Sequence, residues 1–395
     1  MWAYISKRDA LLSLCLAIIV IGIVLLIGWD NNKLIPPFPI ARYHYHSSNP
    51  LKFLSNWDGP NYLHIAIHGY TSKFYASYFP LYPLLIKGLS YIIRSYLMSA
   101  LLIAWAAFYG TIYFFIKVLR SIGGISSNEN GLKAASILVL FPTAVFFVAT
   151  YTEPLLGVLT LLSMYLVIKR KCLWLPLLMM LATLTHITGV FVVVLICLLL
   201  YEQKAKITQW LATMTGGLLG LLAFMAYLKY RFNSYYTFIY SQTHVHGWLS
   251  HGYLNLIDKV TLLNIVMIGL IIATAIYYWR QNRKSFAVYA LLFLLIPIAG
   301  KQYGGFNRYV LMAFPIDFML VDFFKKNRSA YPYVLALMAV FWTYTPPISQ
   351  SPQSLEATAS PQQEGDIGTK EDVLAYIERV WAKGGLLRGV QELTY

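Results

Sequence analysis

The feature that most constrains this chain is a succession of apolar runs between Leu11 and Tyr344, many of them approaching the roughly 20 residues needed to cross a bilayer. Leu11–Trp29, Ser99–Ile116, Ile207–Leu228 and Val260–Tyr278 are among them. Charged residues make up 12% of the sequence and hydrophobic ones 58%, whereas ordinary soluble domains carry roughly 25% charged residues. The chain is therefore predicted to be an all-α integral membrane protein, a polytopic helical bundle.

Basic residues orient the runs. The net charge of +15 gathers at the ends of apolar segments, which is the pattern of cytoplasmic loops and not of a nucleic-acid surface. Lys7 and Arg8 place the start of the first span inside, and no small-x-small pattern precedes Trp29 and Asp30, so that span is read as uncleaved. Lys117 and Arg120 close the second span, Lys133 opens a third that reaches Thr150, and Lys169-Arg170-Lys171 follows the fourth. The next run, Leu173–Tyr201, is interrupted by Thr183, Thr185, His186, Thr188 and Gly189. A single span here would turn Arg280, Arg283, Lys284, Lys325, Lys326 and Arg328 outward. Two short helices, with His186 near their outer turn, keep them inside. Spans seven to eleven are then Ile207–Leu228, Val260–Tyr278, Ser285–Ala299, Tyr309–Phe324 and Tyr331–Tyr344. The expected total is about eleven, with the N-terminus inside and the C-terminus outside. Phe79–Tyr96, broken by Pro80, Pro83 and Gly88, is predicted to lie at the outer interface.

The transmembrane domain is thus assigned to residues 1–345. Residues 346–368, rich in Ser, Pro and Gln, read as a flexible linker. Residues 369–395 form a tail with a short amphipathic helix, on which Leu374, Ile377, Val380 and Trp381 share a face. The three cysteines, Cys15, Cys172 and Cys197, lie in or beside apolar segments and imply neither a disulfide framework nor a zinc site.

The topology gathers ionisable groups on the outer side. Asp58, in Trp57-Asp58-Gly59-Pro60, precedes a helix that Pro60 starts. A carboxylate near that positive helix end stays ionised and suits a general base; the simpler alternative is a helix cap. Glu153, in the short loop Tyr151-Thr152-Glu153-Pro154, reads as a second acidic catalytic group or as a favourable helix N-terminal carboxylate. Arg308, after Gly304-Gly305, reads as a phosphate clamp or as a snorkelling arginine, and Lys301 is a second phosphate candidate. Buried or membrane-adjacent ionisable groups are costly and mark function. Trp57, Tyr62, His186, Gln242, His246, Trp248 and Tyr309 are candidate substrate contacts, Trp248 by stacking on a sugar face; His186 has the alternative of a packed core histidine. His244, His246 and His251 make a weak metal pattern, so no metal is assigned, no cofactor is called for, and a divalent cation is not expected. Asp317 and Asp322 read as structural.

These segments resemble a family. Trp57-Asp58-Gly59, Tyr62-Leu63-His64-Ile65-Ala66, Gly69-Tyr70 and Phe79-Pro80-Leu81-Tyr82-Pro83 are similar to the signature of the PIG-V-like mannosyltransferases, polytopic glycosyltransferases of the GT-C superfamily. Tyr151-Thr152-Glu153, Gln242 with Trp248, and Arg308-Tyr309 with Phe314-Pro315 follow in the family's order. Thr185-His186-Ile187-Thr188-Gly189 departs from it, since the family more often shows an arginine and an asparagine before that glycine. The resemblance implies a polyprenyl-phosphate sugar donor, most often mannose, and a lipid or protein acceptor. Asp58 would take the acceptor's proton in an inverting displacement, Arg308 would steady the leaving phosphate, and Glu153 would orient the acceptor. The compact loops point to a prokaryotic plasma membrane with the site facing outside; in a eukaryote the site would face the lumen of the endoplasmic reticulum. A lipid-linked sugar transporter or flippase is the alternative, and it would place polar groups nearer the midplane; the same enzyme class with a different donor sugar is another.

Overall fold

The computed structural model describes residues 2–31, 50–126, 128–245, 262–300 and 305–343, and among these the only regular structure is helical. The chain begins with α1 (Trp2–Asn31), α2 (Gly59–His68), α3 (Leu81–Ile93), α4 (Tyr96–Ser121) and α5 (Asn128–Val139). It continues with α6 (Glu153–Ile168), α7 (Leu175–Thr185), α8 (Gly189–Glu202), α9 (Ile207–Phe232) and α10 (Thr237–Tyr240). It closes with α11 (Leu262–Arg280), α12 (Lys284–Leu292), α13 (Leu295–Gly300), α14 (Phe306–Val310), α15 (Pro315–Lys326) and α16 (Ala330–Thr343).

Among the described residues, four helices are long and apolar enough to cross a membrane: Lys7–Leu26 within α1, then α4, α9 and α11. The expected eleven crossings would also require shorter apolar helices such as α3, α6, α7, α8 and the stretch Lys284–Ile298. Several expected spans are divided. The run after Lys133 is helical only to Val139, because Pro142 offers no amide proton and biases Phe141 away from helical backbone. The run from Tyr309 to Phe324 is split between α14 and α15, the second starting at Pro315, where a missing N–H costs nothing. The run from Leu173 to Tyr201 divides at His186-Ile187-Thr188 into α7 and α8, as the charge pattern requires.

Side-chain contacts tie together the helix ends that carry basic residues. Asp9 of α1 is 1% exposed and accepts a fork from Arg120 near the end of α4, Nε to Oδ2 at 2.9 Å and Nη2 to Oδ1 at 2.8 Å. Lys117 lies 3.6 Å from the same carboxylate. At the end of α8, Glu202 caps α12 by accepting from the Ser285 amide at 2.7 Å and its hydroxyl at 2.8 Å. The Tyr331 hydroxyl, in the first turn of α16, donates to the Lys133 carbonyl at 3.2 Å.

Small residues set the closest helix pair. Gly216 and Gly220, four apart on α9, face α7 so tightly that a Cβ on Gly216 would stand 2.1 Å from the Pro176 carbonyl oxygen. Thr183 of α7 donates across the seam to the Gly217 carbonyl at 3.0 Å. In an apolar solvent such close backbone approach and interhelical hydrogen bonding hold helices together, since lipid supplies no hydrophobic drive.

The start of α6 is recessed. Thr111, 15 positions after Tyr96 on α4, donates to the Pro154 carbonyl at 3.1 Å. At 1.5 Å per residue, the first turn of α6 therefore meets α4 about 22 Å from its Tyr96 end.

Candidate functional site

The site is assembled from the loop before α2, the loop before α6 and the short helix α14. The first two loops are pinned together: the Thr150 amide donates to the Leu54 carbonyl at 2.9 Å. Trp57 takes a left-handed φ of 54°, a conformation that costs a residue with a side chain and recurs at functional sites. Gly59 is forced by proximity, since a Cβ there would lie 2.2 Å from the Thr150 hydroxyl oxygen.

Asp58 sits at the cap position of α2, yet its side chain makes no cap hydrogen bond. The Asp58 carbonyl starts the helix, accepting from the amides of Asn61 at 3.0 Å and Tyr62 at 3.2 Å. The carboxylate points elsewhere. Its Oδ2 is paired with Arg308 Nη1, and its Oδ1 accepts from the Tyr78 hydroxyl at 3.2 Å. Tyr78 accepts in turn from Asn61 Nδ2 at 2.7 Å. Burial, with the Asp58 charge beside it, raises the Tyr78 phenol well above its ordinary range, so Tyr78 keeps the proton it donates.

Glu153 is the first residue of α6 and 3% exposed. Its Oε1 lies 2.8 Å from Arg308 Nε, while Oε2 is buried with no hydrogen-bond partner among the described residues. Arg308 thus stands between two carboxylates. The third nitrogen, Nη2, donates to the Tyr309 hydroxyl at 3.0 Å, and the guanidinium lies near the rings of Tyr309 (4.8 Å), Tyr151 (5.0 Å) and Phe146 (5.8 Å). With a side chain 12% exposed, it does not reach out as a snorkelling arginine would. Thr143 fixes its helix by donating to the Asn307 carbonyl at 3.1 Å.

His186 joins this cluster through Tyr309, ring centroids 5.3 Å apart. The Thr188 amide donates to His186 Nδ1 at 3.2 Å. Burial, followed by the Arg308 charge, pushes the imidazole down to about 3. The ring is then neutral with its proton on Nε2, leaving one N–H as a donor.

The other sequence candidates separate. Trp57 borders the site, 6.1 Å from Phe146 by ring centroids. Tyr62 is 4% exposed and set edge-on to Tyr78 and Tyr82, so its ring supports the site and does not line it. Gln242 lies on the turn Ser241–Val245, which Ser241 fastens to Ser77 at 2.7 Å. His246, Trp248 and Lys301 lie outside the described residues, as do the linker 346–368 and the tail 369–395. Tyr78 and Asn61 were missed as site residues; the sequence holds 31 tyrosines, and nothing in the pattern singles out one of them. Asp317, read as structural, is 3% exposed within α15. No three His, Cys, Asp or Glu side chains converge to hold a metal among the described residues.

A guanidinium shared by two carboxylates and ringed by aromatic faces can do two things. It can bind an anionic oxygen through its fork, and the less buried carboxylate, Asp58, can take a proton.

No curated protein and no solved structure matches the chain. The family model described as Mannosyltransferase (PIG-V) matches residues 31–258, more than half of the sequence. The matched stretch contains Asp58, Glu153, His186 and Gln242, while Arg308 and Tyr309 lie beyond it. With that match across both loops that carry the acidic pair, the chain belongs to the PIG-V mannosyltransferase family.

Proposed function

We propose that this membrane glycosyltransferase moves mannose from a polyprenyl-phosphate donor to a hydroxyl of a lipid or protein acceptor, with inversion. The carrying observation is the pairing of Arg308 with both Asp58 and Glu153 in a chain of the mannosyltransferase family. The acceptor oxygen attacks the anomeric carbon and forms the new C–O bond. The bond from that carbon to the donor phosphate oxygen breaks, and its electron pair stays on the phosphate. The acceptor proton passes to Asp58. The leaving polyprenyl phosphate gains negative charge as the bond breaks, which a guanidinium held in a water-poor site stabilises. Glu153 orients the acceptor, His186 offers its Nε2 proton to an oxygen of either substrate, and Trp57 and Tyr309 flank the sugar.

In this reading the fold is of GT-C type, the shorter apolar helices complete about eleven crossings, and the site faces outward. The Asp9–Arg120 and Glu202–Ser285 contacts support this arrangement, because each joins helix ends that carry basic residues, the pattern of cytoplasmic ends. The deciding experiment is transfer from radiolabelled polyprenyl-phosphate-mannose by the purified protein, with lipid extract as acceptor, comparing wild type with Asp58→Asn. Label is expected in a new product with wild type alone. Failure of wild type to release polyprenyl phosphate from any of several donor sugars would overturn the reading and favour a lipid-linked sugar transporter.

A further inference from the structure

Arg308 faces three protein groups: Nη1 is paired with Asp58, Nη2 donates to Tyr309, and Nε lies within ion-pair distance of Glu153. Its terminal nitrogens keep further N–H donors, but a donor phosphate would be a third anion beside one cation already flanked by two carboxylates, and it binds best when one carboxylate gives way. Asp58 is the exchangeable partner, because its side chain is 26% exposed against 4% for Glu153. Asp58 is also the one that can be given up without losing its place. Its other oxygen is held by Tyr78, and Tyr78 is held by Asn61. Both supports are buried, at 8% and 3% exposed, and Asn61 belongs to the first turn of α2, the helix that Asp58 opens.

We infer that Arg308 is passed from Asp58 to the donor phosphate, and that Tyr78 and Asn61 are positioning residues that keep Asp58 aimed once Arg308 has moved. The inference rests on the transferase reading and adds an order to it. Asp58 carries an arginine until the donor arrives, so its carboxylate becomes a competent base only when there is a sugar to transfer. A water molecule or an acceptor hydroxyl meeting the site first finds the carboxylate occupied.

Two measurements on the full-length protein in detergent test this. The first is binding of geranyl phosphate, a soluble isoprenyl monophosphate, by calorimetry. An Arg308 freed from Asp58 is competent for more of the time, and apparent affinity scales with that fraction. Asp58→Asn should bind about five- to tenfold tighter than wild type, and Arg308→Gln should lose binding. Asp58→Ala replaces the asparagine variant should the latter fail to fold. Equal or weaker binding by the Asp58 variant, or no binding by wild type, overturns the exchange.

The second is the pH profile of kcat/KM in Tyr78→Phe. The groups facing Asp58 are Arg308, Glu153, Tyr151, Tyr62, Tyr78, Tyr309 and His186. Of these, Tyr78 and Arg308 donate to its carboxylate oxygens. Removing the Tyr78 donor disfavours the ionised form, so the acid limb should move to higher pH. A merely structural tyrosine would lower activity equally at every pH, and that outcome overturns the positioning role. Wild type that transfers mannose while both measurements fail leaves the transferase standing and removes the exchange. Wild type that transfers no sugar removes the transferase reading itself.

Discussion

Glu153 Oε1 lies 2.8 Å from Arg308 Nε, while the other oxygen of the same carboxylate is buried without a hydrogen-bond partner among the described residues. Such an oxygen is costly unless satisfied, and on the proposed function the acceptor hydroxyl supplies its donor. Glu153→Gln keeps the shape and removes the charge. It is expected to raise KM for the acceptor with a smaller effect on KM for the donor, measured by varying each substrate in the transfer assay. Equal effects on both would place Glu153 outside acceptor recognition.

Asp58 makes no cap bond to α2, so its loss costs the helix little and the chemistry much. Asp58→Asn is expected to reduce kcat by about two to four orders of magnitude, the usual contribution of a general base. The unfolding temperature should fall less than in Arg308→Gln, because Arg308 keeps Glu153 as its counter-ion. Full activity in this variant would remove Asp58 as the base.

Arg308→Gln leaves two carboxylates facing each other in a partly buried site. Breaking a buried pair by removing one partner destabilises by about 3 kcal/mol, which thermal unfolding in detergent would register. Arg308→Lys restores the charge but not the fork. It should recover most of the stability and little of the transfer rate. Recovery of both would mean that charge alone is used.

Asp9→Asn tests an ion cluster that shares no residue with the candidate site. It leaves Arg120 and Lys117 without their shared counter-ion, and is expected to cost about 3 kcal/mol while leaving KM for both substrates unchanged. A lowered unfolding midpoint with intact KM is the signature; altered KM would couple this cluster to the site.

Gly216→Val places a branched side chain against the Pro176 carbonyl oxygen, where even a Cβ would stand at 2.1 Å. The neighbour is backbone and cannot turn aside. Overpacking of this kind costs about 1–3 kcal/mol or more, and α7 and α9 should part. Measured stability equal to wild type would mean that the two helices are not in contact.

The helical character of the fold and the break at His186 were legible because apolar runs and lysine–arginine clusters act over many residues. Asp58 and Glu153 stood out because the chain holds only 16 acidic residues, few of them at the outer ends of apolar runs, and Arg308 because it follows Gly304-Gly305 at the start of one. The support behind Asp58 was not legible. Tyr78 meets Asp58 from the far side of α2, 20 residues away, through a turn that no local pattern fixes. The divisions at Pro142 and Pro315 were marked in the sequence by the prolines themselves, but the apolar runs around them read as continuous when length was weighed first.

The recess of α6 along α4 has a consequence for what can serve as acceptor. On the proposed function, a carrier that came along α4 from its Tyr96 end would pass about 22 Å of helix before it reached the start of α6. Even a lone α-helix is about 10–12 Å wide with its side chains, and a folded domain is wider still. On that approach girth would sort the candidates before chemistry does, in favour of slender carriers such as a lipid-borne glycan or an extended strand of polypeptide.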